Sequence, residues 1–282
     1  MNILSIQSHV AYGRVGNRSA VFPLERLGFE VWPINTVQFS CHTGMPGWTG
    51  TAFGADHVSD LVRGMENLGV LSGCDAVLSG YMGDAETGQA IIRAVNAAKH
   101  ANPKALYCCD PVMGDFPGGL YVKSGLPEFM AAEAVPRADI VCPNEFEAEL
   151  LSGIAISSAR DAAAAAESIH RLGPRVVVIK SYRSAEGGEL GFFVSDGTVM
   201  KSATAPVLPF ARPPKGSGDL ASALFLGYYL RCGDIEESIE ETIGALYCVL
   251  EATLASGIDN LALVSAQESI ATPPRRFRAC SV

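Results

Sequence analysis

The stretch RPPKGSGDLASALFLGYYL, Arg212 to Leu230, puts Gly216, Ser217, Gly218 and Asp219 directly before an apolar run. A helix starting there would aim free backbone N–H groups and the positive end of its dipole at whatever faces it. The glycines would let a phosphate come close to the backbone. Asp219 would fall in the first turn. It would act there either as an electrostatic cap worth about 0.5–1 kcal/mol or as a general base taking a proton from a substrate hydroxyl. The same residues match the dinucleotide pattern G-x-G-x-x-A, but its context is missing. The preceding FARPPK carries two prolines, which suit a central strand poorly, and no strand follows to complete a βαβ unit. Neither the P-loop pattern nor the hydrolase pattern G-x-S-x-G occurs in the chain.

Three further places carry polar groups of the right type. Asp110 ends the apolar run ALYCCDP. It could hold a magnesium ion, usually through water, or start an ordinary turn. Asn144 and Glu147 lie in PNEFEAELL, spaced as an N-cap and its capping-box partner. Lys180 ends VVVIK and could reach a phosphate as a point charge or stand as a surface lysine. An anion hole, acidic residues for a metal, a lysine near phosphates and a base on the acceptor are the parts of phosphoryl transfer.

The elements that must position these residues alternate along the chain. NILSIQ, FEVWPINTVQF, DAVLSG (75–80), ALYCCDP (105–111), ADIVCPN (138–144) and RVVVIKS (175–181) read as strands. Helices are expected after the first strand, over about 84–99 and in the alanine-rich stretch SARDAAAAAESIHRLG. GELGFFVSDGTVMKSA reads as a hairpin turning at Asp196-Gly197, and two helices, about 217–231 and 234–256, follow. Apolar strands between helices imply an α/β fold whose mostly parallel central sheet is covered on both faces. Ligands in such folds sit beyond the carboxyl ends of the strands. Those ends here are Ser8-His9, Ser79-Gly80-Tyr81, Asp110-Pro111, Pro143-Asn144 and Lys180-Ser181. Without a linker or repeat, residues 1–282 read as one domain.

Composition narrows the partners. The chain has 282 residues, 48% of them hydrophobic and 18% charged, enough for a large core. Its net charge is −9, so non-specific nucleic-acid or anionic-membrane binding is not expected. An anionic substrate would have to be held by local amides, helix ends or a metal. The eight cysteines form no C-x-x-C pair, so zinc spacing is absent. The start MNILSIQ is a strand pattern without a basic leader, and no apolar run approaches the ~20 residues of a membrane span. A cytoplasmic enzyme with reduced thiols is the expectation.

At this point the motifs resemble a known family. GSGD before the penultimate helix resembles the ribokinase-like signature, in which the aspartate is the catalytic base. DPVMG and PNEFEAE resemble its vitamin-kinase branch. ILSIQSHVAYGRVGN, WPINTVQFSCHTG, WTG and VLSGYMG are similar to the pyridoxal kinase family, and the similarity runs over nearly the whole chain. The resemblance implies a ribokinase-like three-layer sandwich and ATP-dependent phosphorylation of the 5′-hydroxymethyl group of pyridoxal, with pyridoxine and pyridoxamine as further substrates to test. It implies Asp219 as base, with Gly216, Ser217 and Gly218 forming the anion hole. Ser8, Thr43, Gly44 and Tyr81 would contact the substrate ring, between Val37 and Phe39. Asp110, Cys142, Glu147 and Lys180, with Thr204, Ala205, Pro206 and Val207, would bind ATP, and Asp110 and Glu147 would serve the metal. ATP, Mg2+ and a candidate K+ are the implied cofactors, and a homodimer the implied assembly. Ser217 stands where related kinases often have Val or Thr, Gly44 where a side-chain amide is common, and TAPVLPFARPPK matches weakly. The rival expectations are a hydroxymethylpyrimidine kinase, which shares the Asp110 and Asp219 motifs, and a non-catalytic pyridoxal 5′-phosphate carrier.

Overall fold

The computed structural model describes residues 1–183 and 188–282. Its strands are β1 (Asn2–Val10), β2 (Glu30–Phe39), β3 (Gly50–Ala52), β4 (Cys74–Ser79), β5 (Leu106–Cys109), β6 (Gly114–Asp115), β7 (Gly119–Leu120), β8 (Ile140–Val141), β9 (Val176–Arg183), β10 (Glu189–Ser195), β11 (Met200–Pro206) and β12 (Cys280–Ser281). Its α-helices are α1 (Asn17–Arg26), α2 (Ala55–Asn67), α3 (Ala85–Ala101), α4 (Leu126–Phe129), α5 (Val135–Arg137), α6 (Glu145–Ser152), α7 (Ala159–His170), α8 (Ser217–Cys232), α9 (Ile235–Ser256) and α10 (Gln267–Ala271).

Ten strands form one sheet in the order β12-β11-β10-β9-β8-β5-β4-β1-β2-β3. From β2 through β1, β4, β5 and β8 to β9 every pairing is parallel. The β10–β11 hairpin turns where expected: Asp196 Oδ1 accepts the N–H groups of Thr198 and Val199, and Gly197 takes φ 86°. β6 and β7 make a separate two-stranded flap.

The strands are apolar on both sides because both sides are covered. Leu4, Val77, Tyr107, Cys109, Val177 and Ile179 pack with α2, α3 and α7. Their neighbours Ile3, Ala76, Leu78, Cys108, Val176 and Val178 pack on the other face with α1, α8 and α9. The period of two thus divides one run of residues between two cores. α8 is apolar nearly all round because it touches the sheet on one side and α9 and α10 on the other.

Several elements depart from the sequence reading: the short β3, β6, β7, β12, α4, α5 and α10 were not expected, and β8 and α2 differ as well. β8 is shorter than the expected 138–144, because Pro143 offers no N–H to the ladder and Asn144, though bridged to Lys180, already caps α6. α2 was not foreseen, because among its apolar positions only Val58 and Val62 are fully buried. Among the described residues no helix is long and apolar enough to cross a membrane.

Leu78, with no exposure between β4 and the α1/α8 layer, tests this packing. Leu78→Ala should lower unfolding free energy in urea by about 2–5 kcal/mol, and a loss under ~0.5 kcal/mol, the size of a surface change, would contradict its place in the core.

Candidate active site

The carboxyl ends of β1, β2, β4, β5, β8 and β9 face one cavity of about 550 Å³. Its floor is the start of α8. Gly216 precedes the helix at φ 87°, a conformation that favours glycine, and a Cβ there would collide with the carbonyl oxygen of Arg14. No side chain caps the helix, so the N–H groups of its first turn stay available to a ligand. Ser19 Oγ, on α1, donates to the Gly216 carbonyl at 2.9 Å.

Asp219 sits in that first turn, half-buried. The Gly16 N–H donates to its Oδ2 at 2.9 Å, tying the loop before α1 to the start of α8. Gly16 has φ 53°, and a Cβ there would run into Ser8. Burial pushes the Asp219 carboxyl up to about 6, and the nearby charge of Asp110 adds to the rise against the pull of the Gly16 N–H and Lys180. A base in that range suits proton abstraction near neutral pH.

Asp110, just past β5, is buried with Lys180 of β9. Lys180 Nζ donates to Asp110 Oδ2 at 2.6 Å. Burial alone would lower the Lys180 ammonium, but the charges of Asp110 and Glu147 outweigh it and hold it above its usual range. Lys180 is therefore not a surface lysine but a buried one that lines the cavity. Its charge lies beneath the first turn of α8, with Nζ 3.5 Å from the Gly218 carbonyl oxygen.

Glu147 also lines the cavity, yet both its oxygens are engaged. Oε1 accepts the Met113 N–H at 2.9 Å and Oε2 the Asn144 N–H at 2.8 Å, while Asn144 Oδ1 accepts the Glu147 N–H at 2.9 Å. Burial pushes this carboxyl up to about 8, with Lys180 opposing and Asp110 adding to the rise. These contacts close the capping box of α6 and hold the Met113 N–H, while Asn144 Nδ2 donates to the Gly114 carbonyl at 2.7 Å. Asp110 Oδ1, in contrast, is buried without a hydrogen-bond partner among the described residues.

Ser8, Val37, Phe39, Thr43, Gly44 and Tyr81 line the opposite part of the cavity, with Val10 and Val15 adding apolar wall. His42 Nδ1 accepts the Gly44 N–H at 3.0 Å, which folds the 42–44 turn over the mouth. Lys215 Nζ lies 3.4 Å from Asp115 Oδ2 and joins the flap to the loop before α8. Five expected ATP residues are not brought in. Cys142 is wholly buried, its Sγ 3.8 Å from that of Cys108. Thr204 bonds Glu189, Ala205 is in the core, and Pro206 and Val207 lie at the end of β11, all outside the cavity lining. The sequence reading missed Gly16, Ser19, Ser222, His42, Asp115, Tyr121 and Lys215. Gly16 stands in GRVGN, where only its place among other glycines could have marked it.

A family model described as phosphomethylpyrimidine kinase matches residues 67–261. A pyridoxal kinase PdxY from Rubrobacter xylanophilus is 49% identical, covering 98% of this chain and 96% of the relative. One from Deinococcus radiodurans is 45% identical, covering 99% and 95%. The solved pyridoxal kinase of Leishmania donovani in complex with ADP and ginkgotoxin superposes with a TM-score of 0.91 at 30% identity, covering 100% of this chain and 99% of that one. The chain belongs to the pyridoxal kinase family of ribokinase-like proteins.

The raised Asp219 carboxyl has a stability signature. A group more easily protonated in the folded than in the unfolded chain adds stability at low pH and loses it as pH rises through the folded value. Asp219→Asn should therefore be more stable than the parent by on the order of 1–3 kcal/mol above about pH 6, with the gain gone below about pH 3.8, in urea unfolding at several pH values. An equal stability at all pH values would contradict the burial of this charge.

Proposed function

We propose that the chain transfers the terminal phosphoryl group of ATP to the 5′-hydroxymethyl oxygen of pyridoxal. The observation that carries the reading is the placement of Asp219 at an uncapped helix start inside a cavity with apolar walls opposite. Val37, Phe39 and Tyr81 hold the flat ring, and Ser8 and Thr43 offer hydrogen bonds to its polar atoms. Asp219 Oδ2 is occupied by Gly16, so Oδ1 takes the hydroxyl proton. The new O–P bond forms as the bond from the γ-phosphorus to the ADP oxygen breaks. The N–H groups of Ser217, Gly218 and Asp219 stabilise charge on the phosphoryl oxygens, and the buried Lys180 adds positive potential beneath them. The flap 114–120 and the 40–50 segment exclude water. Family relatives solved with ADP support an adenine nucleotide as donor.

Among the described residues no group of three or more His, Cys, Asp or Glu is placed to hold a metal ion. The unpartnered Oδ1 of Asp110 nevertheless fits a cation shared with the phosphates, directly or through water. Mg2+ bound there would neutralise phosphate charge. On family membership we extend the reading to a cytoplasmic homodimer.

The test is incubation with ATP and Mg2+ and, separately, pyridoxal, pyridoxine, pyridoxamine or hydroxymethylpyrimidine, following ADP and phosphorylated product. Pyridoxal should give the largest kcat/KM. Preference for hydroxymethylpyrimidine would move the chain to the sister activity, and ligand binding without ADP release would make it a carrier. Asp219→Asn should lower kcat about 10²–10⁴-fold, the range of general base catalysis, while normal turnover would remove Asp219 from the role of base.

A further inference from the structure

Ser222 lies on α8 three residues beyond Asp219, so both side chains project from one face of the helix. It sits in an apolar run, yet it is buried and polar. Its Oγ donates to Asp110 Oδ2 at 2.7 Å and accepts from Lys180 Nζ at 3.0 Å. With the Lys180–Asp110 contact of 2.6 Å these bonds close a triangle. Both bonds to the carboxylate fall on the same oxygen. Oδ1 is left buried and unpartnered among the described residues, on a side chain that lines the cavity.

A carboxylate held by one lysine alone can swing about its χ2 torsion and exchange its two oxygens, because terminal sp³–sp² torsions are broad and two-fold. A second donor from another element removes that freedom. Lys180 reaches Asp110 from the neighbouring part of the sheet, and Ser222 reaches it from the helix layer. The hydroxyl also gives the ammonium a third acceptor beside Asp110 and the Gly218 carbonyl, so neither buried charge has to turn for a partner. The same helix carries Asp219 and the anion-hole amides, so the hydroxyl ties the register of Asp110 to that of the phosphate-facing turn.

We propose that Ser222 is a positioning residue that fixes Asp110 with Oδ1 toward the cavity and so sets the affinity for the metal–nucleotide pair. The inference rests on the kinase reading above. It separates nucleotide-side from vitamer-side effects, because among the described contacts Ser222 meets only Asp110 and Lys180 through its hydroxyl.

The experiment uses the full chain and two variants, Ser222→Ala and Ser222→Cys, the second keeping the bulk near that of serine with a weak donor. Calorimetry with ADP in the presence and absence of Mg2+ gives the ratio of the two affinities without turnover, and steady-state assays give KM for pyridoxal. The variants should lose about tenfold of the metal-dependent gain in ADP affinity, the size of one hydrogen bond to a charged group. The Mg2+ concentration needed for half-maximal turnover should rise by a similar factor, while KM for pyridoxal stays within about twofold. If Ser222→Ala does not fold, Ser222→Cys carries the same comparison. An unchanged metal-dependent gain, or an equal loss of ADP and pyridoxal affinity, would overturn the inference. Failure of the parent protein to phosphorylate any vitamer would instead overturn the kinase reading.

Discussion

The site depends on the contact between the loop before α1 and the first turn of α8. Gly16 donates to Asp219, Ser19 donates to the Gly216 carbonyl, and Gly216 packs its bare Cα against the Arg14 carbonyl. These contacts join residues some 200 positions apart and leave no room for a Cβ at Gly16 or Gly216. The helix start is therefore fixed by backbone geometry rather than by a capping side chain. Among the described residues no side chain caps its donors, so they stay free for a ligand.

A buried polar layer lies beneath this contact. Asp110 and Lys180 pair at 2.6 Å, and such a pair adds little net stability because removing both charges from water offsets their attraction. Its value is in the charges it places. Lys180 puts a positive charge under the first turn of α8, and Asp110 helps raise the Asp219 carboxyl. Glu147 belongs to the same layer but works on the backbone, holding the start of α6 and the strand-end loop that leads to the flap. One carboxylate can thus orient charge, another can take a proton, and a third can fasten the chain, with environment deciding among them.

Much of this was legible in the sequence. Continuous apolar runs ended by Ser79, Asp110, Asn144 and Lys180 marked parallel strands and the side on which the cavity lies, because strand period and burial on both faces are local properties. GSGD before an apolar run marked the uncapped start of α8 for the same reason. The roles of Lys180 and Glu147 were not legible. A lysine at a strand end reads as a phosphate arm or a surface group until its partners Asp110 and Ser222, 70 residues before it and 42 after it, are known. Nothing in the local sequence distinguishes Ser222 from any small residue in the apolar run of α8. Thr204–Val207 were carried over by resemblance through a weakly matching stretch, and the fold puts them in the meander beyond β9, outside the cavity lining.

If the half-buried Asp219 carboxylate accepts the substrate proton, the pH dependence of kcat/KM for pyridoxal must report it. An acid limb should fall through a midpoint near 6 as Asp219 takes up its proton, and it should be missing in Asp219→Asn. A limb that persists unchanged in Asp219→Asn, or a rate for the parent protein that stays level down to the ordinary carboxylate value near 3.8, would contradict it.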